Sequence, residues 1–161
     1  MKHYKGFWGW LTATFVVPKP GSALWRVENA VNDLHVWIFQ RSRGRVLGTF
    51  DGAPLLVLHT RGAKTGRPRQ SPMIYLRDDE RIVVVASIGG NPRNPGWYHN
   101  LRADPDAEVE IAGGRRQVRA RQATAEEAAA LWPRLHDMWP AWQTYKTRTD
   151  REFPVMILER R

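Results

Sequence analysis

The chain has 161 residues, enough for one domain with its own core. Its net charge of +9 comes without any run of five or six basic residues, so it favours an anionic partner without naming one. There is no Cys, which excludes disulfides, thiolate metal sites, iron–sulfur clusters and Cys nucleophiles.

Lys2, His3 and Lys5 open the chain, and an apolar run from Gly6 to Val17 follows, with Trp8, Trp10 and Phe15 in it. The run is too short to span a bilayer. Paired Trp beside Lys suits an interfacial or lid segment first, a segment packed on the domain second, and a cleaved signal last. Pro18 to Gly21 breaks the pattern, and Ser22 can cap a helix. Leu24, Val27, Val31, Leu34 and Ile38 then recur at helical spacing, so an amphipathic helix is expected from about Ala23 to Ser42, ended by Gly44. Residues 1–50 are thus read as an N-terminal apolar segment and amphipathic helix, and residues 51–161 as the second unit.

Strand signals dominate that unit. They cover Leu55 to Thr60, Gln70 to Arg77 and Arg81 to Ser87, with a hairpin turn across 77–81. Gly48 to Pro54 reads as a turn, and Gly89 to Gly96 as irregular. Trp97 to Ala103 suggests a short helix. Glu108 to Ile111 and Arg115 to Ala123 form two strands across Gly113-Gly114. Thr124-Ala-Glu-Glu127 is a capping box that starts a helix at Ala125, which Pro133 and Pro140 should break or kink. Phe153 to Leu158 is the closing strand. The many hairpin connections predict a mainly β chain with helices (α+β), antiparallel rather than doubly wound.

Three segments carry chemistry. Thr60-Arg-Gly-Ala-Lys-Thr-Gly-Arg-Pro-Arg-Gln-Ser-Pro72 puts Arg61, Lys64, Arg67 and Arg69 around Gly62 and Gly66. Such a turn can cradle an anion, and a solvated basic hairpin tip is the plainer reading. It is not a Walker A loop, because Ala63 stands where Gly is required. In the second, strand 81–87 opens at Ser87 into a Gly/Pro loop backed by Trp97 and Tyr98. Ser87 and nearby N–H groups can bond a planar ring edge, and the aromatics can wall it; Trp97 serves equally as core. In the third, Trp132, Leu135, Trp139, Trp142 and Tyr145 fall on one helical face, as core or as the wall of a pocket for a flat apolar ligand. His35, His59, His99 and His136 sit on separate elements without a metal-binding pattern, and no metal is expected. No nucleophile elbow or paired carboxylate points to protein acid–base chemistry, which suits a reaction carried by a cofactor.

The first two segments, with the tail Leu131-Trp-Pro-Arg134 through Thr149-Asp-Arg-Glu-Phe-Pro154, resemble the deazaflavin (coenzyme F-420)-dependent nitroreductase and quinone reductase family of actinobacteria. The resemblance runs from about Leu55 to Leu158. It implies a split β-barrel of the FMN-binding-protein type and reduced coenzyme F-420 as hydride donor, with FMN the alternative. It implies that Lys64 and Arg69, beside Ala63 and Thr65, grip the phosphate and acidic tail. Ser71 and Met73 would line the groove, Ala86 and Ser87 meet the ring, and Trp97, Tyr98 and Asn100 close the site. Ile74, Trp139, Trp142 and Tyr145 would form the acceptor pocket, with Tyr98 or Tyr145 as proton source. Two positions depart from the family: Ile88 replaces a common Lys, and Ile74 replaces a Tyr used beside the acceptor.

The function expected is hydride transfer to a quinone, nitroaromatic or similar apolar acceptor. A non-catalytic cofactor- or lipid-binding protein is the other class. No nucleic-acid partner is expected, since aromatics do not alternate with the basic residues. The expected location is the cytoplasm, with peripheral contact to the inner face of the membrane through the N-terminal segment. The sequence leaves the oligomeric state open.

Overall fold

A computed structural model describes residues 23–161, with the backbone alone at 24–26, 28 and 29. The apolar run before Pro18 and the Ser22 cap lie outside the described residues. Helix α1 spans Ala23–Arg41. Its C-terminal half docks on the sheet, where Val36 and Phe39 pack against Val57 and Gln40 Nε2 donates to Glu110 Oε2 at 3.1 Å.

The strands are β1 (Thr49–Phe50), β2 (Ala53–Arg61), β3 (Pro68–Ile74), β4 (Leu76–Asp78) and β5 (Arg81–Val85). A one-turn 3-10 helix at Ile88–Gly90 and helix α2 (Gly96–Ala103) follow. Then come β6 (Asp106–Ile111), β7 (Gly114–Gln122), α3 (Ala125–Met138), α4 (Ala141–Lys146) and β8 (Val155–Arg160).

Every described pairing is antiparallel, in the order β1-β2-β6-β7-β8-β5-β4, with β3 on the other side of β2. Only Tyr75 separates β3 from β4. One bent strand therefore pairs with β2 at its start and β5 at its end, and closes the sheet into a barrel. Its Tyr75 N–H donates to the Pro54 carbonyl at 3.1 Å, so the bend leaves that donor satisfied.

Strand alternation sorts the side chains into two cores. Leu56, Leu58, Ile82, Val84, Ala86, Val109, Ala120, Met156 and Leu158 face inward, and α2 plugs the barrel with Tyr98 and Leu101. Val83, Val85, Val155 and Ile157 face outward and are covered by Leu131, Leu135, Trp139, Trp142 and Tyr145 of the α3–α4 layer.

Several local expectations shift. The turn expected over Gly48 to Pro54 contains a short hairpin, because Asp51 and Gly52 both take positive φ (47° and 83°), the geometry that joins twisted strands tightly. Pro133 does not end α3. The bond it forfeits would have gone to the Ala129 carbonyl, and Ala129 is exposed to water. Pro140 does separate α3 from α4. The last strand begins at Val155 rather than Phe153, whose ring is spent on the outer core. The strand expected to reach Ser87 stops at Val85, where the Ser87 N–H folds back to the Val85 carbonyl at 2.9 Å.

Candidate active site

The basic segment is the tip of the β2–β3 hairpin. The Gly62 N–H donates to the Arg67 carbonyl at 2.9 Å, and Thr65 and Gly66 donate to the Gly62 carbonyl at 3.1 and 2.7 Å. Gly62 sits in close approach: a Cβ there would lie 2.7 Å from Thr65 Oγ1, whose hydroxyl would have to turn aside. The tight turn leaves Arg61, Ala63, Lys64, Thr65, Arg67 and Arg69 exposed. Among the described residues, no ion pair engages any of those four cations.

Helix α2 fixes where this turn sits. Asn100 Nδ2 donates to Thr60 Oγ1, and the Ala63 N–H donates to Asn100 Oδ1, both at 3.0 Å. One side chain thereby ties the first segment to the second. On the same helix, Trp97 packs half-buried on the inner core, and Tyr98 is buried in it. Tyr98 Oη donates to Gln122 Oε1 at 3.0 Å and accepts from Arg102 Nη1 at 3.4 Å.

The sequence-predicted residues divide between the two faces of the sheet. Arg69, Ser71 and Met73 alternate along β3 and share a face, and Met73 meets the inner core beside Trp97. Ala86, the residue after β5, joins them. Ile74 points the other way, into the outer core with Trp139, Trp142 and Tyr145. The four residues expected to wall the acceptor pocket thus lie on the outer side, while Met73, Ala86, Trp97 and Tyr98, expected at the coenzyme, lie on the inner side, Tyr98 being also one of the two expected proton sources.

Ser87 joins the two sides. Its Oγ accepts from Trp142 Nε1 at 3.1 Å, and both residues are buried. Trp142 meets Trp132 edge-on at 6.1 Å, Trp139 lies 5.5 Å from Phe50, and the Arg148 guanidinium stands 5.5 Å above the Tyr145 ring. Only 3% of Trp139 and Trp142 and 8% of Tyr145 is exposed, so these residues are core as well as candidate pocket.

Sequence reasoning missed the arginines behind this corner. Arg151 Nη1 donates to the Ala86 carbonyl at 3.0 Å, Nη2 to that of Ser87 at 3.1 Å and Nε to that of Asn91 at 3.1 Å; it also bonds Asn94 Oδ1. Arg148 Nη1 donates to the Gly89 carbonyl at 3.0 Å. The only signal was the place of Arg151 in the tail segment quoted for the resemblance. Nothing in its spacing shows which carbonyls it reaches.

Other charges serve the scaffold. Hydrogen bonds from Arg121 hold the Glu127 carboxyl down to about 2, and bonds from Arg134 and Arg81 lower that of Asp78. Both pin α3 to the sheet. Burial raises the Tyr75 phenol against the pull of Arg116 and Arg77. Glu110 accepts from Arg115 Nε at 3.1 Å and lies 3.3 Å from His59 Nε2. Among the described residues, no cluster of His, Asp and Glu is placed to hold a metal.

A family model described as F420H(2)-dependent quinone reductase matches residues 32–160. An F420H(2)-dependent quinone reductase of Mycobacterium tuberculosis is 42% identical over 132 residues, covering 80% of this chain and 89% of its own. The solved structure of an F420-H2 dependent reductase is 34% identical with a TM-score of 0.61, covering 66% of this chain and 94% of that one. A second solved structure, described as a domain-swapped dimer, is 30% identical with a TM-score of 0.62, covering 83% of this chain and 99% of that one.

Proposed function

The chain belongs to the F420H(2)-dependent quinone reductase family, and from that membership we propose how its site divides the work of moving hydride from reduced coenzyme F-420 to a quinone. The enzyme is an F-420-dependent oxidoreductase on a split β-barrel, and coenzyme F-420 rather than FMN is its cofactor.

The residues present fit a coenzyme with an acidic tail and a flat ring. Lys64 and Arg69 bind the phosphate and acidic tail through charge-assisted bonds, helped by backbone at Ala63 and Thr65. Asn100 holds that turn in register with the aromatic helix. Ser71, Met73 and Trp97 line the groove and exclude water, and Ala86 and Ser87 orient the ring edge. When bound, the coenzyme supplies the hydride from C5 of its ring. Ile74, Trp139, Trp142 and Tyr145 form the wall that receives the acceptor across the Ser87 corner. Tyr98 holds a proton in its bond to Gln122, and Tyr145 is the second hydroxyl available to the product oxygen. The protein's contribution is position and electrostatics.

The observation that carries this assignment is the exposed basic turn, without an ion pair among the described residues, tied by Asn100 to the helix that bears Trp97 and Tyr98. The test mixes purified protein, reduced coenzyme F-420 and a soluble quinone, and follows coenzyme absorbance. Oxidation that requires both protein and quinone supports the assignment. Tight FMN binding with no affinity for F-420 overturns it.

Val27, Val31, Leu34 and Trp37 on α1 are more than half exposed, and Arg41, Arg43 and Arg45 follow at and just beyond its C-terminal end. This apolar and basic surface supports peripheral contact with the anionic inner face of the membrane, where quinones dissolve. No described helix is long and apolar enough to cross a membrane. Co-sedimentation with anionic vesicles, lost in neutral ones, is the result expected. A neighbour 30% identical is described as a domain-swapped dimer, and gel filtration reads the oligomeric state of this chain.

A further inference from the structure

The corner after β5 is held in a conformation its sequence does not favour. Ser87 is right-handed (φ −92°, ψ −41°), and Ile88, Gly89 and Gly90 then take positive φ of 42°, 63° and 81°. Gly adopts such angles freely, but a β-branched Ile does so under strain. A right-handed residue followed by a left-handed one gathers successive N–H groups into a concavity that accepts negative charge.

The restraint comes from the segment between α4 and β8. Arg151 donates to the carbonyls of Ala86, Ser87 and Asn91, and Arg148 to that of Gly89. A trans peptide points its N–H away from its carbonyl. Drawing the Ser87 oxygen towards Arg151 therefore turns the Ile88 N–H to the opposite side. Gly90 adds a steric lock, since a Cβ there would lie 2.7 Å from the Tyr145 carbonyl. The Arg151 guanidinium also lies 4.8 Å from the Phe153 ring. Its partners are all neutral, and burial lowers its pKa with no carboxylate to oppose the shift. An arginine stays protonated even so, so the corner carries an uncompensated positive charge.

We propose that Arg151, aided by Arg148, is a positioning residue for hydride transfer: it holds Ser87-Ile88-Gly89 in its strained turn, so that the N–H groups of Ile88 and Gly89, that of Ser87 being bonded to the Val85 carbonyl, meet the electron-rich carbonyl edge of the deazaflavin ring with positive charge behind them. The proposal rests on the coenzyme assignment above. It makes Arg151 a determinant of rate rather than of affinity, because the tail contacts at Lys64 and Arg69 do not depend on it.

The test compares wild type with R151K, R151Q and R148Q, using full-length protein. R151K keeps the charge and loses the planar fork that reaches several carbonyls at once. R151K and R151Q should both lower kcat by about ten- to hundredfold, as expected for a reactant held slightly out of place. The Kd for oxidised coenzyme should change by less than about threefold, since the tail still binds. The difference spectrum between bound and free oxidised coenzyme should change in R151Q and be largely kept in R151K. R148Q, which loses one carbonyl contact, should show a smaller loss of kcat and carries the test if Arg151 variants do not fold. Adding I88G to R151K, where Gly takes the turn without strain, should recover several-fold of the lost rate. Wild-type kcat and an unchanged difference spectrum in R151Q would overturn the proposal. Absence of coenzyme binding by wild type would instead overturn the assignment beneath it.

Discussion

The indole N–H of Trp142 donates to the buried Ser87 Oγ at 3.1 Å, linking the aromatic layer of α3 and α4 to the strand end where the two faces of the sheet meet. Ala86, one residue earlier, faces the inner core. A single peptide step thus separates a residue assigned to the coenzyme from the side chain that touches the acceptor wall. Under the proposed assignment, a contact this direct couples the shape of that wall to the orientation of the ring edge.

Trp142→Phe tests that coupling with little loss of volume. It removes the donor and leaves Ser87 buried without it, at a stability cost of about 1–2 kcal/mol. Preference among quinones, measured as kcat/KM ratios, should shift more than the coenzyme Kd. A change confined to coenzyme affinity would remove Trp142 from the acceptor side.

Asn100→Ala should free both Thr60 and the Ala63 N–H. The basic turn then loses its tie to α2, and coenzyme affinity should fall by about 1–2 kcal/mol. Calorimetric titration reads this. Far-UV circular dichroism should be unchanged, because the hairpin bonds at Gly62 and Gly66 remain.

Stability should fall in acid for a defined reason. Glu127 is held down to about 2 from an ordinary 4.5 by Arg121, and Asp78 is lowered from 3.8 by Arg134 and Arg81. A carboxyl lowered in the folded state stabilises it above the unfolded-state value, and that contribution is lost as pH falls through the folded value. For Glu127 the loss runs from 4.5 down to about 2, with Asp78 losing its contribution below 3.8. Melting midpoints between pH 7 and 2 should drop most steeply there. Glu127→Gln should flatten its part of the curve, and Asp78→Asn should cost about 1–3 kcal/mol at neutral pH.

Much of the scaffold is legible in local sequence. The stripe from Val27 to Ile38 and the Gly44 stop place α1 within a residue of its observed end. Both halves of the Thr124–Glu127 capping box form, as the spacing predicts. A hairpin joins β6 to β7 as expected, but its turn is Ala112-Gly113, both at positive φ, and Gly114 already pairs with Ile111. Those features are short-range and are decided by backbone preference. The break at Tyr75 is different, because it exists only where one strand must reach two partners far apart in sequence.

The candidate site was legible as residue types and opaque as geometry. Clustered arginines and glycines suit an anion-binding turn and a solvated hairpin tip alike, and nothing local reveals that Asn100 holds the turn. Strand parity alone separates Met73 from Ile74, and the structure adds what each face packs against. Trp139 reads as core before pocket and Trp142 equally as either, and both are core on which a pocket can be built. Arg151 escaped notice because its partners are carbonyl oxygens, which every residue has and no sequence pattern marks.

The account turns on the tip of the β2–β3 hairpin binding the coenzyme's tail. Fluorescence titration of wild type and the double variant Lys64→Ala/Arg69→Ala, with intact coenzyme F-420 and with the same chromophore lacking its phosphate and acidic tail, tests this directly. Wild type should prefer the intact coenzyme by about a hundredfold or more, as two charge-assisted contacts imply, and the double variant should lose that preference. Equal affinity of wild type for the two molecules would contradict it.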